Sequence, residues 1–137
     1  MYFFTSTILN WQNLLRDDKA KDIIINSLGY LSYSKQAAIH GFVIMPNHIH
    51  LLITVLEPNK YDTVTNGFIR FTAHEFKKFI KENYPEKLKE YISTQADRDF
   101  HFWERRPYNI KVESEKIAWQ KLDYTETQYI IVQKKGD

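Results

Sequence analysis

The chain predicts an α+β domain in which an antiparallel sheet carries packed helices. Three observations point there. Two strand-like runs, Ala37 to Met45 and His48 to Val55, are separated only by the turn pair Pro46 and Asn47, which forces them antiparallel. Two long segments repeat their apolar residues at helical spacing. The order of elements along the chain is β, α, β, β, α, β, α, with no repeat or low-complexity tract to divide it.

Tyr2 to Leu9 (YFFTSTIL) is rich in aromatic and β-branched residues and predicts the first strand. Asp17 or Asp18 can cap a helix running to about Ser32, in which Ala20, Ile24, Leu28 and Leu31 recur on one side. The hairpin follows. After Pro58, Asn59 and Asp62, a helix from about Thr63 to Asn83 places Val64, Phe68, Phe71, Phe76, Phe79 and Ile80 on one side and ends at Tyr84 and Pro85. Glu86 to Asp99 predicts a loop or short helix. Phe100 to Val112 reads as an extended pair interrupted near Pro107, and Ser114 caps a final helix.

With 137 residues, 43% of them hydrophobic, the chain is expected to form one domain over 1–137. The absence of cysteine excludes a disulfide framework and a thiolate zinc site. No apolar run reaches about 18 residues and the opening lacks a signal-peptide pattern, so a cytoplasmic protein without a membrane partner is expected. A net charge of +2 does not announce a nucleic-acid ligand, yet the basic residues cluster at Lys77, Lys78 and Lys81, at Lys87 and Lys89, at Arg105 and Arg106, and at Lys134 and Lys135. Each cluster can equally be a solvated face. Aromatics form 15% of the chain, enough to fill a core and to leave some for stacking on unpaired bases.

The chemistry concentrates in MPNHIHLLI, Met45 to Ile53. Side chains alternate along a strand, so His48 and His50 share a face while Ile49 and Leu51 take the other, and their Cα atoms fall roughly 6.5 to 7 Å apart. Two imidazoles so placed can converge on one metal ion, although the same spacing also serves a solvated strand face. A histidine-triad nucleotide hydrolase would need a third histidine at position 52. Leu52 stands there and excludes it.

On the final helix, about 100° per residue groups Ala118, Leu122 and Tyr129 along one side, and Lys121, Tyr124 and Gln128 with Ile117 and Ile131 along its neighbour. Tyr124 and Gln128 stand one turn apart, a phenol and an amide carbonyl about 6 Å along one face. That pairing offers a nucleophile and a metal ligand, or simply two surface residues.

MPNHIHLLI, then FIRFTAHEFKKFIKEN, then FWERRPYNIKVESEKIAWQKLDY resemble the successive blocks of the single-tyrosine HUH transposases, in the REP-associated branch of the insertion-sequence-200-like family. The motif name stands for histidine, hydrophobe, histidine, here His48, Ile49 and His50. The resemblance runs from the opening strand to Tyr124 and implies a ferredoxin-like or RRM-like HUH fold. It implies that His48, His50 and Gln128 hold a divalent metal and that Tyr124 attacks a DNA phosphate. The tyrosine would keep the 5′ phosphate and release a 3′ hydroxyl, in single-strand cleavage and rejoining. The chain departs from many relatives after KLDY, reading TETQYIIVQKKGD where they carry an IHNNP-like segment.

Two imidazoles and an amide oxygen leave positions open on an octahedral ion, which suits Mg²⁺ or Mn²⁺ better than a closed zinc site. A phenol of ordinary pKa about 10 is mostly protonated at neutral pH, so it needs metal or cationic help, which Lys121 can give unless it is an ordinary surface lysine. The expected partner is single-stranded or hairpin DNA, gripped by Arg70, Lys77, Lys78, Lys81, Arg105 and Arg106, with the protein a monomer or homodimer. Two other readings stay open. One is an inactive or domesticated relative that binds hairpins; the other is a metal-dependent phosphoesterase using water, for which Tyr124 is dispensable.

Overall fold

The computed structural model describes residues 1–92, 100–114, 116–117 and 120, and the backbone of 130–131. Strand β1 spans Tyr2–Thr7, helix α1 Asp18–Tyr33, β2 Ala37–Ile44, β3 His48–Val55, helix α2 Tyr61–Asn83, β4 Tyr108–Lys111 and the short β5 Ile130–Ile131. The sheet order is β4-β1-β3-β2-β5 with every pairing antiparallel. Its first four strands, with one helix after β1 and one after β3, make the ferredoxin-like arrangement. The histidine strand β3 lies at the centre.

Local chemistry explains the boundaries. Asp17 caps α1 by accepting from the Lys19 amide at 2.8 Å, and its carboxylate sits where the helix dipole favours negative charge. Tyr84 ends α2, and a 3-10 helix over Pro85–Tyr91 follows where the sequence predicted a loop or short helix. Pro46 and Asn47 turn β2 into β3, closed by the Met45 amide on the His48 carbonyl at 2.8 Å. The turn is tethered from outside as well: the Ile8 amide reaches the Asn47 carbonyl at 2.8 Å and the Leu15 amide reaches the Pro46 carbonyl at 2.9 Å.

The two faces of the sheet differ. One buries Phe4, Phe42, Ile49, Leu51 and Ile53 against Ile24 and Leu28 of α1 and Val64, Phe68, Phe76 and Ile80 of α2. The other carries a smaller cluster of Phe3, Val43, Leu52 and Val112, beside which the histidines lie. Trp103 joins the layers, donating from Nε1 to Thr72 Oγ1 at 3.0 Å while Thr72 donates to the Phe68 carbonyl at 2.8 Å. No described helix is long and apolar enough to cross a membrane.

Three expectations are corrected. Phe71, assigned to the apolar side of α2, is 53% exposed: it lines an open groove between α1 and α2 with Asn26, Tyr30 and Gly67 instead of entering the core. The extended pair over 100–112 is a single strand: Phe100 and Trp103 make only isolated bridges, to Ile92 and Ile8, and only Tyr108–Lys111 pairs continuously. The interruption is the Arg105–Arg106–Pro107 bend, where Arg106 takes the left-handed conformation at φ 63°. Finally, the last helix does not reach Ile131. Ser114 does cap a helical turn, its Oγ accepting from the Ile117 amide at 3.3 Å, but Ile130 and Ile131 pair with Val43 and Phe42 at the edge of β2. Consecutive β-branched residues favour that edge over a helix.

Candidate functional site

The strand prediction for the motif holds residue by residue. Ile49 and Leu51 are 0% and 1% exposed in the core, while His48 and His50 are half-buried on the opposite face. Their rings meet edge to face with centroids 4.8 Å apart. Because β3 is flanked by β1 and β2 along its length, the backbone under both imidazoles is hydrogen-bonded on either side.

Each ring is held by a neighbour. His48 Nδ1 lies 2.6 Å from Asn47 Oδ1, an oxygen that only accepts, so Nδ1 donates and Nε2 keeps its lone pair. His50 Nδ1 lies 2.8 Å from Oγ1 of Thr5, the residue directly opposite on β1, and Phe3 stacks on the His50 ring with centroids 5.2 Å apart. In the tautomer that donates Nδ1–H to Thr5, the Nε2 of His50 is likewise left to bind. Such outer contacts fix ring orientation at metal sites. Burial, with the charge of His48 adding to it, pushes His50 from the ordinary 6.5 down to about 4, and burial lowers His48 too. Both rings are therefore neutral at physiological pH, the form in which imidazole is a ligand.

Two neutral imidazoles on a rigid strand fit a divalent ion and do not complete its shell. Among the described residues no group of three histidine or carboxylate side chains gathers to hold a metal. Gln128, expected as that ligand, and Tyr124 and Lys121 lie outside the described residues. Asn47, Thr5 and Phe3 were not singled out from the sequence. Asn47 precedes the motif and was read only as a turn residue; Thr5 and Phe3 become visible only once β1 is registered against β3.

The expected DNA contacts fall into two sets. Arg105 and Arg106 lie at the bend before β4, next to the end of β1, where the Glu104 amide donates to the Thr7 carbonyl at 2.7 Å. Thr7 in turn faces His48, so this bend borders the histidine end of the sheet. Arg70, Lys77, Lys78 and Lys81 stand instead on α2, which covers the other face. There Lys78 pairs with Glu75 at 3.5 Å, Lys77 sits 4.9 Å from the centre of the Phe100 ring, and Arg70 borders a 450 Å³ cleft with Asn66, Phe100 and Trp103. The arginine pair thus lies on the bend next to the end of β1 that faces His48, whereas the α2 set lies behind the sheet.

The fold is similar to that of a REP-associated tyrosine transposase bound to a REP hairpin, with a TM-score of 0.60 and 15% identity, covering 90% of this chain and 62% of that one. It is also similar to a candidate transposase from Deinococcus radiodurans R1, with a TM-score of 0.57 and 16% identity, covering 90% of this chain and 85% of that one. No protein-family model and no curated protein matches the chain. The chain spans less than two thirds of the hairpin-bound transposase, and at these identities what it shares with both is the fold.

Proposed function

We propose that the chain is a metal-dependent DNA transposase of the tyrosine type, cutting and rejoining single-stranded DNA through a covalent 5′-phosphotyrosine link. The observation that carries this reading is the pair of neutral, oriented imidazoles on one face of the central strand. The likeness of fold to a hairpin-bound tyrosine transposase supports it.

His48 and His50 would hold Mg²⁺ or Mn²⁺ together with the amide oxygen of Gln128, leaving places for phosphate and water. A bound ion would polarise the scissile phosphate and offset the charge that builds on its oxygens. Tyr124 supplies the nucleophile. Its phenolic oxygen bonds to phosphorus, the phosphorus–O3′ bond breaks, and the departing 3′ oxygen gains a proton as the phenol loses one. The reverse displacement by a DNA 3′ hydroxyl rejoins strands without ATP, because the phosphotyrosine preserves the phosphodiester's energy. Single-stranded or hairpin DNA is the substrate class, and Arg105 and Arg106 would meet its phosphates.

The test is to trap the adduct. Incubating the protein with hairpin oligonucleotides and Mn²⁺ should yield a denaturation-resistant protein–DNA species whose modified peptide contains Tyr124. Tyr124→Phe should bind metal and DNA yet form none, whereas Tyr129→Phe should form it normally. Cleavage without an adduct would point to water as nucleophile, and an adduct on Tyr129 or Tyr108 would overturn the assignment.

A further inference from the structure

From the register of the sheet, we infer that Tyr108 is a stacking platform for an unpaired DNA base beside the histidine centre. Tyr108 is paired with Thr5, and Thr5 is paired with His50, so the three stand in one row across β4, β1 and β3. Directly opposed residues in an antiparallel sheet point to the same face. Thr5 reaches His50 Nδ1, which fixes the face as that of the histidines, and Tyr108 shares it. The neighbouring positions agree: Ile110 packs with the cluster on this face, whereas Asn109 between them accepts a hydrogen bond from Tyr61 of α2 on the other. Strands lie about 4.8 Å apart, so Tyr108 stands roughly 10 Å from His50 along the row.

The ring is 60% exposed, on a face where most large apolar side chains are covered. A nucleic acid strand is the occupant that the surroundings favour. Arg105 and Arg106 precede the tyrosine by three and two residues, at the bend that carries the chain into β4, and both are exposed. The nearby Glu104 carboxylate is engaged elsewhere, accepting from the Asn10 amide at 2.8 Å. A flat aromatic beside cations matches a base with its flanking phosphates, the combination by which sheet surfaces hold single strands. Left-handed Arg106 and fixed Pro107 aim the bend, so the platform sits on paired backbone at a set distance from the imidazoles.

This inference rests on the DNA-processing reading, and the experiment separates the two. A single-stranded oligothymidylate carrying one 2-aminopurine is titrated into the full chain without added metal, so that binding at the imidazoles does not enter. The wild-type protein should bind and quench the 2-aminopurine. Tyr108→Phe should do the same, because the ring is kept. Tyr108→Leu keeps apolar bulk but no ring, and should bind roughly 5- to 150-fold more weakly with fluorescence restored. In the unaltered protein, an oligonucleotide carrying 5-iodouracil should photo-cross-link to Tyr108, a readout that needs no folded variant. Normal binding and quenching by Tyr108→Leu, or a cross-link confined to other aromatics, would overturn the platform and leave the DNA reading standing. Failure of the wild-type protein to bind would overturn both.

Discussion

Oγ1 of Thr5 lies 2.8 Å from Nδ1 of His50, across the β1–β3 ladder and 45 positions apart in the chain. The contact makes a threonine on one strand responsible for the orientation of an imidazole on the next, and it makes a specific demand on substitutions. Thr5→Val keeps the shape and loses the hydroxyl. It should fold normally and bind Mn²⁺ roughly 10- to 100-fold more weakly, the usual effect of removing an outer partner of a metal ligand, as read by calorimetric titration.

Replacing the imidazoles themselves should be more severe. His48→Ala and His50→Ala each remove a half-buried ring from the smaller face and leave the main core untouched, so far-ultraviolet dichroism should be preserved while metal-dependent DNA cleavage disappears. Full cleavage by either variant would reject the centre.

The depressed histidine pKa values give the metal-free protein a predictable acid response. The unfolded chain takes up protons once pH falls below the ordinary 6.5, while native His50 resists until about 4. The unfolded state thus binds more protons across this window, and stability is lost as pH falls through it. Urea midpoints measured between pH 7 and 4 should decline, and His50→Gln should make the decline shallower. An unchanged slope would mean that the ring is not held neutral by its surroundings.

The two basic sets should behave differently in DNA binding. Arg106→Gln removes an exposed cation from the bend before β4 and should reduce the dependence of log affinity on log salt by about 1. Lys78→Gln, whose lysine already pairs with Glu75 behind the sheet, should leave that slope nearly unchanged. Equal effects would place the strand on both faces.

Trp103 tests the link between the layers. Trp103→Phe loses the 3.0 Å bond to Thr72 and some buried surface, while Thr72 keeps its own acceptor at Phe68. A loss of about 1–3 kcal/mol in urea unfolding is expected.

Much of this was legible in local pattern. His48 to Val55 reads as a strand because its period of two is unbroken, and Asp17 announces α1 because an acidic cap has one local job. The ferredoxin-like order was implied by resemblance to a family and agrees with the pairing observed. What escaped were relations between distant segments. Phe71 obeyed helical spacing but not the width of the actual contact, and the isoleucines at 130 and 131 fitted a helix until the open edge of β2 was in view. Thr5 and Tyr108 carry no signal of their own; register alone sets them in one row with His50.

Central placement of β3 has a kinetic corollary. An edge strand can peel away by breaking one ladder, but His48 and His50 ride on a strand stitched along both sides, with its entry turn tied to Ile8 and Leu15. Local fraying does not reach such a segment, so its amides exchange with solvent only through the largest openings of the molecule. Deuterium uptake at β3 should therefore report global unfolding, and the edge strand β4, with Tyr108 at its start, should take up label before it. The imidazoles would then stay fixed while the edge strand that carries Tyr108 exchanges earlier.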